Sequence, residues 1–97
     1  MNFDVFWTKL DELLSSERNF ITINQQKPFE ALRSIDGVVV TPKSSGEKRL
    51  IKKEEFTKIY RLSKSLPESE VFKPNSYQKD SRNSSYIVTF FDKIMNS

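Results

Sequence analysis

The chain has 97 residues, a length that suits a single domain with a modest hydrophobic core. It contains no cysteine and no histidine, which excludes disulfides, the usual zinc sites and the commonest general base. The formal net charge is +3, and residues 37–66 hold eight Lys and Arg against three Asp and Glu, which predicts one positive face.

Apolar residues make up 36% of the chain and aromatic residues 12%, so eight Phe, three Tyr and one Trp must supply much of the buried area. No signal-peptide pattern is found, and no apolar run approaches the roughly 20 residues that cross a bilayer. We therefore expect one domain over residues 1–97 that is soluble and cytoplasmic and has no membrane contact.

The first predicted element is a helix over residues 2–18. Its apolar residues recur at helical spacing and form one continuous stripe, made of Phe3, Phe6, Trp7, Leu10, Leu13 and Leu14. Asn2 or Asp4 can cap its start. We expect the stripe to cover the core, because aromatic residues at this spacing usually pack inside a domain.

Residues 19–24 are rich in β-branched and aromatic side chains and predict a strand. A polar turn follows at residues 25–28. Residues 29–35 alternate imperfectly and fit either a strand or a short helix, and the alternation favours the strand.

The dipeptide Asp36-Gly37 is a hairpin turn signal between two apolar runs. The run over residues 38–41 is apolar on both faces and predicts a central strand. Pro42 is expected to end that strand, because proline cannot donate a hydrogen bond to the ladder.

Residues 43–47 predict a second turn, in which Gly46 is free to take a positive φ. Residues 48–51 then return as an antiparallel strand. The apolar period becomes helical over residues 52–66, and Pro67 ends that helix.

Residues 67–84 hold two prolines and many Ser and Asn, and predict an ordered loop or a flexible segment. Residues 84–95 fit a helix or a strand, and the serine cap with its clean polar side favours the helix. The apolar edge of this helix, at Phe91 and Met95, allows a homodimer as well as a monomer. The whole order predicts an α+β domain with helices on one face of a sheet of three or four antiparallel strands.

No enzymatic chemistry is expected, and no cofactor or metal. A nuclease-type magnesium site would need carboxylates on adjacent strands and a nearby lysine, and Asp36 with Glu47-Lys48 supplies them only in predicted turns. Phosphate-cradling loops need clustered glycines, and the chain has two glycines in all.

The basic middle of the chain is the candidate site. A basic hairpin followed by a basic helix can engage a phosphate backbone, with the hairpin acting as a wing, so binding to duplex DNA is the leading hypothesis. The predicted contact residues are Lys43, Lys48, Arg49, Lys52, Lys53, Lys58 and Arg61. Glu47, Glu54 and Glu55 interrupt this patch, so a solvated face with ion pairs remains an alternative.

The same face also fits a protein partner with complementary acidic residues. Under that hypothesis the chain is a protein-binding inhibitor or adaptor, such as an anti-defence protein of a phage or mobile element.

Scattered apolar and turn positions between residues 20 and 87 carry a resemblance to a known group of modules. These positions are Phe20-x-Thr22, Lys27-Pro28-Phe29, Gly37-Val38-Val39-Val40, Arg49-x-Ile51, Phe56, Tyr60 and Ser85-Tyr86-Ile87. Their layout resembles small α+β modules associated with bacterial restriction enzymes and related mobile-element or defence proteins. The resemblance implies a non-catalytic accessory or DNA-contacting module.

Overall fold

The computed structural model describes residues 1–96 and confirms the predicted α+β class, with an N-terminal helix, a four-stranded antiparallel sheet and two further helices. The helix chosen over a strand for the last element is also confirmed. The elements are α1 (Phe3–Ser16), β1 (Asn19–Ile21), β2 (Pro28–Ser34), β3 (Gly37–Pro42), β4 (Arg49–Lys52), α2 (Lys53–Ser63) and α3 (Ser84–Met95). Two short 3₁₀ turns, Glu68–Glu70 and Pro74–Tyr77, lie between α2 and α3.

The sheet is a meander in which each strand pairs with the next along the chain, in the order β1-β2-β3-β4. Its two faces differ sharply in burial. Val38, Val40 and Ile51 are fully buried towards the helices, whereas Leu32 and Leu50 point the other way and are exposed. Strand side chains alternate between faces, so all three helices cover one face and leave the other to solvent.

Aromatic rings fill the space between the sheet and the helices. The fully buried ones are Phe6, Phe29, Phe56, Tyr77, Phe90 and Phe91. Many meet edge to face, as in the Phe6–Phe91 pair with ring centroids 5.2 Å apart. Such pairs add specific geometry to the large area that each ring buries.

Helix α3 packs in the middle of this layer rather than at its edge. Phe91, expected at the edge of a possible dimer surface, is fully buried within the chain, and Met95 is half-buried against the core. The apolar face of α3 is thus used inside the domain. Within residues 1–96, no helix is long and apolar enough to cross a membrane.

Two turns differ in detail from the sequence prediction. Strand β1 ends at Ile21 rather than at residue 24, because the Thr22 hydroxyl accepts a 3.0 Å hydrogen bond from the Lys27 amide and starts the turn early. The β2–β3 connection consists of residues 35 and 36, and Gly37 already pairs within β3. Pro42 is the last residue of β3 and lies opposite Phe29.

Gly37 is required by a close approach of backbones rather than by a positive φ. It lies opposite both Ser34 and Lys52, and a Cβ atom there would overlap the carbonyl oxygen of Ile51. Gly46 does take the positive φ predicted for the β3–β4 turn, at 70°.

The segment from residue 67 to 83 packs on the helices through a few apolar anchors. Tyr77 is fully buried and its hydroxyl donates a 2.8 Å hydrogen bond to the carbonyl oxygen of Val71. Val71 and Phe72 are half-buried, so the long connection to α3 follows the surface of the domain.

Candidate nucleic-acid interface

A cleft of about 610 Å³ opens at one end of the sheet, between residues 22–28, 42–49 and 82–86. Four cations line it, Lys27, Lys43, Arg49 and Arg82, and none of its lining residues is an Asp or Glu. The other lining side chains are hydroxyls, one amide, two prolines and the ring of Tyr86. We call this feature the basic cleft.

The meander explains why distant segments meet there. In an antiparallel meander the β1–β2 and β3–β4 turns lie at the same end of the sheet, and the β2–β3 turn lies at the other end. The β1–β2 turn is tied to α3 by a 3.0 Å hydrogen bond from the Ile23 amide to the Thr89 hydroxyl. The start of α3 therefore closes the cleft formed by the two turns.

Local hydrogen bonds shape each turn. In the β3–β4 turn, the Gly46 amide donates to the Pro42 carbonyl at 2.8 Å, and the Glu47 amide donates to the Ser45 hydroxyl at 3.2 Å. In the β1–β2 turn, Gln26 adopts a φ of 56°, in the left-handed region. Lys27 and Lys43, one from each turn, both line the basic cleft.

Arg49 is the most constrained cation of the basic cleft. It lies opposite Val40, whose side chain is buried on the helix-facing side of the sheet. Its Nη1 donates a 3.0 Å hydrogen bond to Oδ1 of Asn83, a residue that is 5% exposed. Its guanidinium carbon lies 5.8 Å from the ring centroid of Tyr86.

Asn83 is itself held from behind. Its Nδ2 donates a 2.9 Å hydrogen bond to Oε2 of Glu55 on α2, and the hydroxyl of Ser81 donates to the same carboxylate oxygen. The Asn83 amide also donates to the Ser81 hydroxyl at 3.0 Å. Strand β4, helix α2 and the residue before α3 thus share one polar network that orients Arg49.

The other three cations of the cleft are more loosely held. Lys43 lies 3.7 Å from the carboxylate of Glu30, and an exposed pair of this kind contributes little stability. Lys27 and Arg82 are exposed, and within residues 1–96 neither forms an ion pair. Their charges are available to an anion in the cleft.

Two of the seven predicted contact residues, Lys43 and Arg49, meet in the basic cleft. Lys52 and Lys53 lie at the far end of β4, beside the β2–β3 turn, about 10 Å away at strand geometry. The predicted hairpin tip and helix start are therefore separated by the length of β4.

Lys53 and the remaining predicted cations, Lys48, Lys58 and Arg61, are not among the residues that line the basic cleft. The Lys53 ammonium lies 5.5 Å from the ring of Trp7, and the Lys58 ammonium donates a 2.9 Å hydrogen bond to the Asp80 carbonyl. Lys48 and Arg61 are exposed and form no ion pair within the described chain.

Lys27, Arg82 and Tyr86 belong to the cleft but were not among the predicted contact residues. Lys27 and Arg82 lie in segments whose net charge is not positive, so a count along the chain passes over them. Lys27 could have been located from the predicted meander, because successive turns of a meander lie at opposite ends of the sheet. The β1–β2 turn with Lys27 and the β3–β4 turn with Lys43 then lie at the same end. Tyr86 carries no charge, so a count of charges along the chain passes over it as well.

Residues 1–96 contain no group of three or more acidic side chains that could hold a metal ion. Comparison of the chain with protein-family models, with curated proteins and with solved structures gives no match. The geometry and charge of the basic cleft are therefore the basis for a functional proposal.

Proposed function

We propose that the protein binds nucleic acid, with phosphate groups held at the basic cleft. The supporting observation is that four cations from three separate segments line one cleft, and that no Asp or Glu is among its lining residues. Phosphate oxygens are bound mainly by Arg and Lys, and release of counterions from the nucleic acid supplies much of the affinity.

Arg49 is suited to be the central phosphate ligand. A guanidinium has five N–H donors in a planar fork, and the hydrogen bond to Asn83 uses one of them. The others remain for the paired hydrogen bonds that Arg forms with phosphate. Because Asn83 already holds the side chain, little conformational entropy is lost when a phosphate binds.

Lys27, Lys43 and Arg82 surround this position and add charge at the rim. Their side chains are exposed, so their attraction acts over distances limited by salt screening, about 8–10 Å at physiological ionic strength. They are expected to draw a polyanion to the cleft and to make binding sensitive to salt.

Fluorescence anisotropy of labelled random-sequence oligonucleotides, single-stranded and duplex, tests this proposal at low and at moderate salt. The variant Lys27→Glu/Arg82→Glu removes two cleft cations, and Lys9→Glu/Arg18→Glu makes the same charge change away from the cleft. We expect the cleft variant to bind much more weakly at low salt and to lower the slope of log K against log salt by about 2, because two phosphate contacts disappear.

The control variant should keep most of the affinity. Equal losses in the two variants would indicate diffuse attraction to a basic protein and would reject the cleft. If the protein binds neither the single-stranded nor the duplex oligonucleotide at low salt, a nucleic-acid function is rejected.

A second candidate function, binding of a protein as an inhibitor or adaptor, rests on the open face of the sheet. Leu32, Val39 and Leu50 lie side by side across three strands, and Leu32 and Leu50 are 43% and 42% exposed. Exposed apolar rows of this kind with polar surroundings are typical of interaction surfaces.

A pull-down separates the two candidates. A partner retained by the wild type and by Lys27→Glu/Arg82→Glu, but lost by Leu32→Lys/Leu50→Lys, would support protein binding through the sheet. Retention by all three proteins would reject the sheet face.

A further inference from the structure

The basic cleft has the size of a small-molecule site rather than of a duplex-binding surface. Ligand pockets commonly measure about 300–1,000 Å³, and this cleft measures about 610 Å³ between its three enclosing segments. A duplex keeps its bases stacked inside a cylinder and presents only backbone to a protein surface. It can touch the rim of the cleft, whereas one unpaired nucleotide can enter.

Tyr86 offers an aromatic surface within the same cleft. Its ring is half-buried and forms a T-shaped pair with the fully buried ring of Phe29, with centroids 4.9 Å apart. This contact fixes the ring from behind. Single-strand-binding sites characteristically combine a cationic groove with aromatic rings on which bases stack.

The cation and the ring are neighbours. The Arg49 guanidinium carbon lies over the Tyr86 ring, 5.8 Å from its centroid and within the roughly 6 Å of a cation–π contact. A phosphate bound at Arg49 would therefore lie beside a base that contacts Tyr86, as the two groups lie within one nucleotide. Gln25, Ser44 and Ser45 add polar groups around this space.

We infer that the basic cleft receives an unpaired nucleotide of a single strand, with its phosphate at Arg49 and its base against Tyr86. This inference rests on the proposed function and specifies the form of nucleic acid that the same site takes. Recognition of this kind tolerates any base, because each base has a π face, and it disfavours paired strands.

Anisotropy titrations with a labelled oligothymidylate and with a labelled duplex of equal length test the inference. We expect the single strand to bind more tightly than the duplex. Tyr86→Leu should weaken single-strand binding by roughly tenfold or more through loss of stacking, and Tyr86→Phe should preserve it. Tyr86 packs on Phe29, so circular dichroism must first show that both variants are folded.

A competition experiment gives a second measurement. It uses only the wild-type protein, so misfolding of a variant cannot affect the result. Thymidine monophosphate should displace the labelled single strand at a lower concentration than deoxyribose 5-phosphate does, because only the former carries a base. Equal competition by the two compounds would overturn the base contact with Tyr86.

The remaining outcomes separate the inference from the proposed function. Duplex binding as tight as single-strand binding, or unchanged single-strand binding by folded Tyr86→Leu, overturns the inference. If Lys27→Glu/Arg82→Glu still weakens binding much more than Lys9→Glu/Arg18→Glu in those cases, the proposed function stands. Absence of binding to both probes overturns the inference together with the proposed function.

Discussion

Arg49 and Asn83 are joined by a 3.0 Å hydrogen bond across 34 positions of sequence. The bond links the edge strand β4 to the residue that precedes α3. Since Asn83 also donates to Glu55 on α2, one buried amide connects the consecutive elements β4 and α2 with the start of α3, which lies far along the chain from both. The same contact that closes this corner of the fold thus orients the central cation of the basic cleft.

The first prediction concerns this amide. Asn83→Ala should lower the free energy of unfolding by about 1–3 kcal/mol, because it leaves the Glu55 carboxylate short of a donor in a partly buried site. Urea unfolding followed by circular dichroism measures the change. Asn75→Ala is the matched control, since Asn75 is exposed and its side chain forms no hydrogen bond within residues 1–96. Equal stabilities of the two variants would contradict a structural role for Asn83.

A second prediction compares the two glycines. Gly37→Ala should destabilise the protein by about 1–3 kcal/mol or more, because the new Cβ would overlap the Ile51 carbonyl in a paired backbone. Gly46 has open space around it and needs only a residue that tolerates a φ of 70°. Gly46→Asn should therefore cost less, since Asn visits that region readily.

Thermal unfolding of the two variants checks this order. A Gly37→Ala protein as stable as Gly46→Asn would show that β3 and β4 separate easily at this point and would contradict the close approach.

The elements of the fold could be predicted from periodicity, because apolar spacing reports directly which face of a helix or strand is buried. The helical assignment of residues 84–95 and the strand assignment of β2 are confirmed on that basis. Turn positions are less determined. The pair Asp36-Gly37 has the composition of a hairpin turn, but Gly37 was needed inside β3, where the opposing backbone leaves no room for a Cβ.

The site was harder to predict than the fold for a physical reason. Charge along the chain identifies Lys43 and Arg49, but a cleft is made by turns that meet in space, and Lys27 and Arg82 come from segments far from the basic middle. The residues of the polar network at Asn83 do not recur at a helix or strand period in the sequence, so periodicity cannot identify them. These residues can be recognised as a network only once the fold is known, because the fold brings α2 and β4 beside the start of α3.

A third prediction tests the two faces of the sheet with adjacent residues of β4. Leu50 is 42% exposed, whereas Ile51 is fully buried against the helices. Leu50→Thr should change the free energy of unfolding by no more than about 0.5 kcal/mol. Ile51→Ala should cost about 2–5 kcal/mol, because it removes buried methyl groups and leaves a cavity. Similar losses in chemical unfolding would contradict the one-sided packing of the sheet.

The last prediction concerns Tyr77 at alkaline pH. Burial raises the pKa of the Tyr77 hydroxyl from 10.0 to about 12. The folded protein therefore keeps a proton that the unfolded chain releases between these two values. Stability contributed by neutral Tyr77 is complete below pH 10 and is lost as the pH rises towards 12.

Tyr77→Phe isolates this effect, because the two proteins differ in no other ionisable group. At neutral pH the wild type should be more stable by about 1 kcal/mol, the contribution of the 2.8 Å hydrogen bond to Val71. Urea unfolding at successive pH values should show this advantage shrinking above pH 10, where unfolded Tyr77 ionises. If the advantage stays constant up to the highest pH at which both proteins fold, Tyr77 titrates alike in the folded and unfolded chains. That result would contradict the raised pKa of the buried Tyr77 hydroxyl.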